Sequence, residues 1–130
     1  MDGNENRPME ARVKLVLFAG DRFFGPGICE LLEHIRETGS IQAAAGRMKM
    51  SYTKAWRILN RAEAGMGVSL IERVAGGRNG GSSSLTRAGA RAVAAYRAME
   101  ARLARTGAEL LSEYRKCFGP EEGESDDLPG

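Results

Sequence analysis

Three features of this 130-residue chain predict a mainly α-helical fold with a small β component. Residues 40–66, SIQAAAGRMKMSYTKAWRILNRAEAGM, hold two amphipathic helical patterns separated by a short break. Residues 70–86 switch to two strand-like runs around a glycine-rich loop, and residues 86–118 return to one long helical pattern. In this order the elements make a winged helix-turn-helix followed by a long C-terminal helix. The expected organisation is a disordered N-terminus over 1–11, the winged domain over 12–85, the long helix over 86–118 and an acidic disordered tail over 119–130.

The chain before residue 40 supplies a hairpin and one helix. Arg12 to Phe18 (RVKLVLF) is rich in β-branched and aromatic residues and reads as a strand, Gly20-Asp21 as a turn, and Arg22 to Phe24 as its short partner. Gly25-Pro26-Gly27 breaks the chain, after which Ile28, Leu31, Leu32 and Ile35 keep helical spacing up to a stop at Gly39. This helix is expected to pack across the two that follow.

The next helix starts at Ser40 as N-cap and buries Ile41, Ala44, Ala45 and Met48, whose small alanines permit close packing. Its successor starts near Ser51, a second N-cap, and buries Ala55, Ile58, Leu59, Ala62 and Met66. The hairpin pairs LIERV (70–74) with Leu85-Thr86 around AGGRNGGSSS, a flexible basic tip that fits a wing. That loop lacks the GK[ST] ending of a nucleotide-binding loop and does not read GxGxxG, so an enzymatic phosphate cradle is not expected. Thr86 then caps the long helix. Val93, Tyr96, Met99, Leu103, Leu110, Leu111, Tyr114 and Phe118 form an apolar band along it. Some thirty residues span roughly 45 Å, more than one small domain covers. The expected partner is the same helix of a second copy, with Gly107 allowing close backbone approach at that contact.

Charge is concentrated where the helix-turn-helix lies. Residues 40–105 carry twelve Lys/Arg against three acids, although the whole chain sums to only +2. Such a patch suits a phosphate backbone. At the start of the second helix, Tyr52, Thr53 and Lys54, with Trp56 and Arg57 one turn on, are the candidate contacts to base edges and nearby phosphates in double-stranded DNA. Trp56 equally fits a packing role. Ser51 combines capping with a phosphate hydrogen bond, Arg47 and Arg61 meet phosphates, and Arg78 at the wing tip reaches the backbone or minor groove.

Other classes are set aside on specific grounds. No run approaches the ~18 apolar residues of a membrane span, and the polar start MDGNENRPMEAR has no secretory stretch, so a cytoplasmic protein is expected. Cys29 and Cys117 stand in no metal or redox spacing, and His34 is the sole histidine, so neither metal nor cofactor is expected. Two further readings share the fold. One is an interaction module that joins a partner protein through the long helix; the other is a sensor whose oxyanion or small-molecule effector, of unknown identity, binds at the dimer seam.

The blocks FFGPG, LLEHIRETGSIQAAAGRM, MSYTKAW and LIERVAGGRNGGSSSLTRAG resemble the N-terminal DNA-binding region of ModE-type molybdate-responsive transcriptional regulators, themselves similar to LysR-type winged helix-turn-helix domains. The resemblance runs from about Val13 to Tyr114, with SYxxAW and the wing flanked by ER and LTR as its most specific pieces. It implies a DNA-binding homodimer with the long helix forming much of the contact. Molybdate sensing, which that family places in later domains, does not carry over. The chain departs from the family at Lys49, where a turn glycine is usual; a left-handed backbone there would cost ~1 kcal/mol.

Overall fold

The computed structural model describes residues 8–74 and 82–118. Two strands, β1 (Leu17–Ala19) and β2 (Asp21–Phe24), form an antiparallel hairpin and are followed by α1 (Pro26–Thr38), α2 (Ile41–Arg47) and α3 (Tyr52–Met66). A second antiparallel hairpin, β3 (Ile71–Val74) and β4 (Ser82–Leu85), precedes α4 (Arg87–Cys117). The order is that of a winged helix-turn-helix with a long final helix. The chain divides into two compact units, one of Lys14–Ala98 and one that joins the chain before Lys14 to the chain after Ala98. The wing tip with Arg78 and the acidic tail lie outside the described residues, as does the chain before Pro8.

Local signals set most element ends. The Ser40 hydroxyl accepts from the Ala43 amide and the Ser51 hydroxyl from the Lys54 amide, both at 3.0 Å, so each serves as the N-cap its type favours. Gly39 closes α1 in the left-handed region, its amide reaching the Ile35 carbonyl. Thr86 caps α4 in two directions. Its hydroxyl oxygen accepts from the Gly89 amide at 2.9 Å and its proton goes to the Ser69 carbonyl at 2.7 Å. Beside it the Leu70 backbone passes directly against Gly89, at a distance only a residue without Cβ allows.

Three elements differ from expectation. β1 begins at Leu17 rather than Arg12, because β2 is only four residues long and offers no partner further back. α1 begins at Pro26 rather than Ile28, since the fixed proline φ suits the first helical position, where no amide proton is needed. Met66, expected inside, is exposed on the last turn of α3, and Met48 and Ile58 are half-buried.

The core of the 14–98 unit gathers Phe24, Leu31, Leu32, Ile35, Leu59 and Leu70. Val93 and Tyr96 of α4 belong to it as well, at 3% and 1% exposure. This corrects their assignment to a dimer seam. The Tyr96 ring packs 5.3 Å from that of Phe24, and its hydroxyl donates to the Leu15 carbonyl at 2.7 Å, so both its apolar body and its polar tip are satisfied within the domain. The apolar band of α4 therefore changes role along its length. Met99, Leu110, Tyr114 and Phe118 are exposed, while Leu103 and Leu111 are half-buried.

Arg97 ties α4 to α1 by a two-pronged ion pair, its Nε and Nη2 donating to the two Glu33 carboxylate oxygens at 3.0 and 2.7 Å. In the other unit, Ala11 and Val13 lie against Gly107, each 3.6 Å from where a Cβ would stand. A Cβ on Gly107 would meet them at ordinary van der Waals contact, so the chain's own N-terminal segment packs beside this position. Cys29 is buried in the core and Cys117 exposed; neither forms a disulfide. Among the described residues no helix is long and apolar enough to cross a membrane.

Candidate nucleic-acid interface

The α3 helix presents four faces, each with a distinct surrounding. Ala55, Leu59 and Ala62 point into the core. Tyr52, Trp56 and Glu63 form the flank facing β3. Lys54, Ile58 and Arg61 form the opposite flank, facing β2 and the start of α1. Thr53, Arg57, Asn60 and Ala64 make the remaining stripe, opposite the core and exposed throughout. The Arg57 side chain makes no hydrogen bond or ion pair among the described residues.

The turn into α3 is set by Lys49, whose φ of 57° is the one left-handed non-glycine backbone among the described residues. The Lys49 amide donates to the Gly46 carbonyl and the Met50 amide to that of Ala45, closing the tail of α2 so that Ser51 is delivered to its capping position. The strained conformation expected for a side-chain-bearing residue at this turn is present.

On the β3 flank, Trp56 is half-buried against the core. Its ring meets Tyr52 edge-on at 6.4 Å, and the Arg73 guanidinium of β3 lies over it, 5.3 Å from the ring centre. These contacts fit the packing reading of Trp56. Glu63 completes the junction, its carboxylate accepting from the Leu70 amide at 2.8 Å and the Ile71 amide at 3.3 Å. An acid within a basic segment is thereby turned inward to hold the wing strand, and the exposed surface keeps its positive sign. From the other side, the Ser83 amide donates to the Gly39 carbonyl, anchoring β4 to the end of α1.

The expected site residues separate into groups. Ser51, Tyr52, Thr53, Lys54, Arg57 and Arg61 all stand exposed on or beside α3. Arg47 instead donates to Glu37 at 2.6 Å, and its guanidinium lies 3.3 Å from His34 Nδ1. The pair is largely exposed, so its hold on Arg47 is weak, about 0–1 kcal/mol. Sequence reading missed Asn60, one turn from Arg57 on the outward stripe, although the helical period alone locates it. It also missed Arg73, Glu63 and Arg22, whose neighbours come from other elements.

With this geometry, the match to known proteins is specific. Residues 29–90 match the bacterial regulatory helix-turn-helix proteins of the LysR family, a span that takes in α2, α3 and the β3–β4 wing. Residues 29–90 are a LysR-type helix-turn-helix domain. This domain recurs in proteins named for molybdenum or transcription. The chain is 37% identical over 94 residues to the molybdenum transport protein ModE of Herbaspirillum seropedicae, covering 72% of this chain and 33% of that one. To the ModE protein of Azotobacter vinelandii it is 46% identical over 70 residues, 54% of this chain and 26% of that one. To the DNA-binding transcriptional dual regulator ModE of Escherichia coli (strain K12) it is 36% identical over 89 residues, 68% and 34% of the two chains. The chain thus spans about a third of the length of the curated relatives it matches.

Proposed function

We propose that this chain is a DNA-binding transcriptional regulator that acts as a homodimer in the cytoplasm, with α3 entering the major groove of duplex DNA. The outward stripe of α3 carries the reading: Thr53, Arg57 and Asn60 are exposed, aligned, and face away from the core. Arginine pairs with guanine O6 and N7 and asparagine with adenine N6 and N7, so Arg57 and Asn60 are assigned to base edges. Tyr52, Ser51 and Arg47 are assigned to nearby phosphates, as is Arg73 on the wing; Arg78 is kept as a wing contact.

The homodimer is supported by the exposed apolar side chains after Ala98. Leu110, Tyr114 and Phe118 follow one another at every fourth residue and are 58%, 58% and 69% exposed. A second copy supplies the matching face, and two-fold symmetry then presents two reading helices. Specific sites are accordingly inverted repeats whose half-site centres lie ~34 Å apart or a multiple of it.

Selection of bound sequences from random duplex DNA tests the reading. The expected product is an inverted repeat, with base preference lost in Arg57→Ala or Asn60→Ala. Recovery of unselected sequence, or an unchanged preference in both variants, refutes it.

A further inference from the structure

On the flank of α3 that faces β2 lies a cleft of about 340 Å³, lined by Arg22, Gly25, Gly27, Lys54, Ile58 and Arg61 among others. Three of its lining residues are cations and none is acidic. The side chain of none of the three makes an ion pair or hydrogen bond among the described residues, although carboxylates elsewhere in the domain are paired with basic groups. The cations come from two separate elements, Arg22 from β2 and Lys54 and Arg61 from successive turns of α3. The Arg22 guanidinium lies close over Gly25 at the start of α1: a Cβ there would stand 3.1 Å from Nη2 and would push the guanidinium aside by a few tenths of an ångström.

Like charges gathered without a counter-charge repel one another, and an anion seated among them removes that cost. The cleft adjoins the outward stripe of α3, along which a major groove would run. With α3 in that groove, a bordering strand of the DNA backbone would pass on this flank.

We propose that this cleft holds one phosphate of the DNA backbone, gripped by Arg22 together with Lys54 and Arg61, and so adds sequence-independent affinity beside the base contacts of Arg57 and Asn60. The proposal rests on the DNA-binding reading above. It assigns Lys54 and Arg61 to the backbone rather than to base edges, and extends the interface to the β1–β2 hairpin outside the helix-turn-helix.

The test compares Arg22→Ala with Arg36→Ala, a charge deletion at the other end of α1, on the selected duplex over a range of salt concentrations. Losing one phosphate contact should lower the slope of log affinity against log salt by ~0.9, and affinity by about fivefold near 0.15 M salt. Base preference should be unchanged, and ethylation of one backbone phosphate should impair binding of the unmodified protein but not of Arg22→Ala. If Arg22→Ala behaves as Arg36→Ala does while Arg57→Ala loses base preference, the cleft assignment falls and the DNA reading stands. If the unmodified protein binds no duplex, both fall. Saturable binding of inorganic phosphate that needs Arg22, with no change in the salt slope on DNA, would assign the cleft to a free anion and overturn the proposal.

Discussion

The Arg73 guanidinium lies over the ring of Trp56, 5.3 Å from its centre, and so couples the wing strand β3 to the flank of α3. A cation over an indole face contributes roughly 0.5–1 kcal/mol at an exposed site. Trp56 is the only tryptophan, so its fluorescence reports this one contact. Arg73→Ala should uncover a ring face and raise quenching of Trp56 emission by acrylamide. Arg73→Lys should fall between the two, because an ammonium has no planar group to stack. Equal quenching in all three proteins would contradict the coupling.

Lys49 stores strain in the turn. A residue with a Cβ at φ 57° is disfavoured by ~1–2 kcal/mol, whereas glycine and, to a lesser degree, asparagine adopt that region readily. Lys49→Gly should therefore raise stability by about 0.5–1 kcal/mol after its larger unfolded-state entropy is counted, Lys49→Asn by less, and Lys49→Val should lower it. Urea denaturation of the three variants checks the order. A Gly variant less stable than the Val variant would show that the turn is not strained.

Glu33 makes stability depend on pH at the acidic end. The hydrogen bonds from Arg97 hold its carboxyl below the ordinary value of 4.5, with the charges of Arg97, Arg36 and His34 adding to the effect and partial burial opposing it. A folded value below the unfolded one means that the stabilisation is complete above the unfolded value and disappears as pH falls through the folded one. Glu33→Gln should cost about 1 kcal/mol at pH 7, a modest figure because both side chains remain partly exposed. The difference from the unmodified protein should shrink from about pH 4.5 downward. A difference that stays constant to pH 3 would place the effect elsewhere.

The exposed apolar residues after Ala98 determine the expected oligomer. Leu110→Glu sets a charge on a surface that a second copy would otherwise desolvate, and it should convert a dimer into a monomer at micromolar concentration. The 14–98 unit, which does not include Leu110, should keep its thermal transition. Sedimentation of the unmodified chain as a monomer, or of Leu110→Glu as an undiminished dimer, would remove this face from the assembly.

The sequence by itself determined what rests on neighbours along the chain. Ser40, Ser51, Gly39 and Thr86 mark helix ends because a cap bonds within a few residues of itself. Ala55, Leu59 and Ala62 reveal the inward face of α3 because a helix repeats every 3.6 residues. What the period could not decide was the surroundings of each remaining face. Trp56 meets Arg73, Glu63 meets the Leu70 amide, and Arg22 joins Lys54 and Arg61 only because elements distant in sequence are packed together. The same limit explains α4, whose apolar band looks continuous in sequence although Val93 and Tyr96 are buried in the domain core and Leu110 and Tyr114 remain exposed. Periodicity fixes the direction in which a side chain points from its helix. Only the tertiary structure decides what waits there: solvent, a strand or the core.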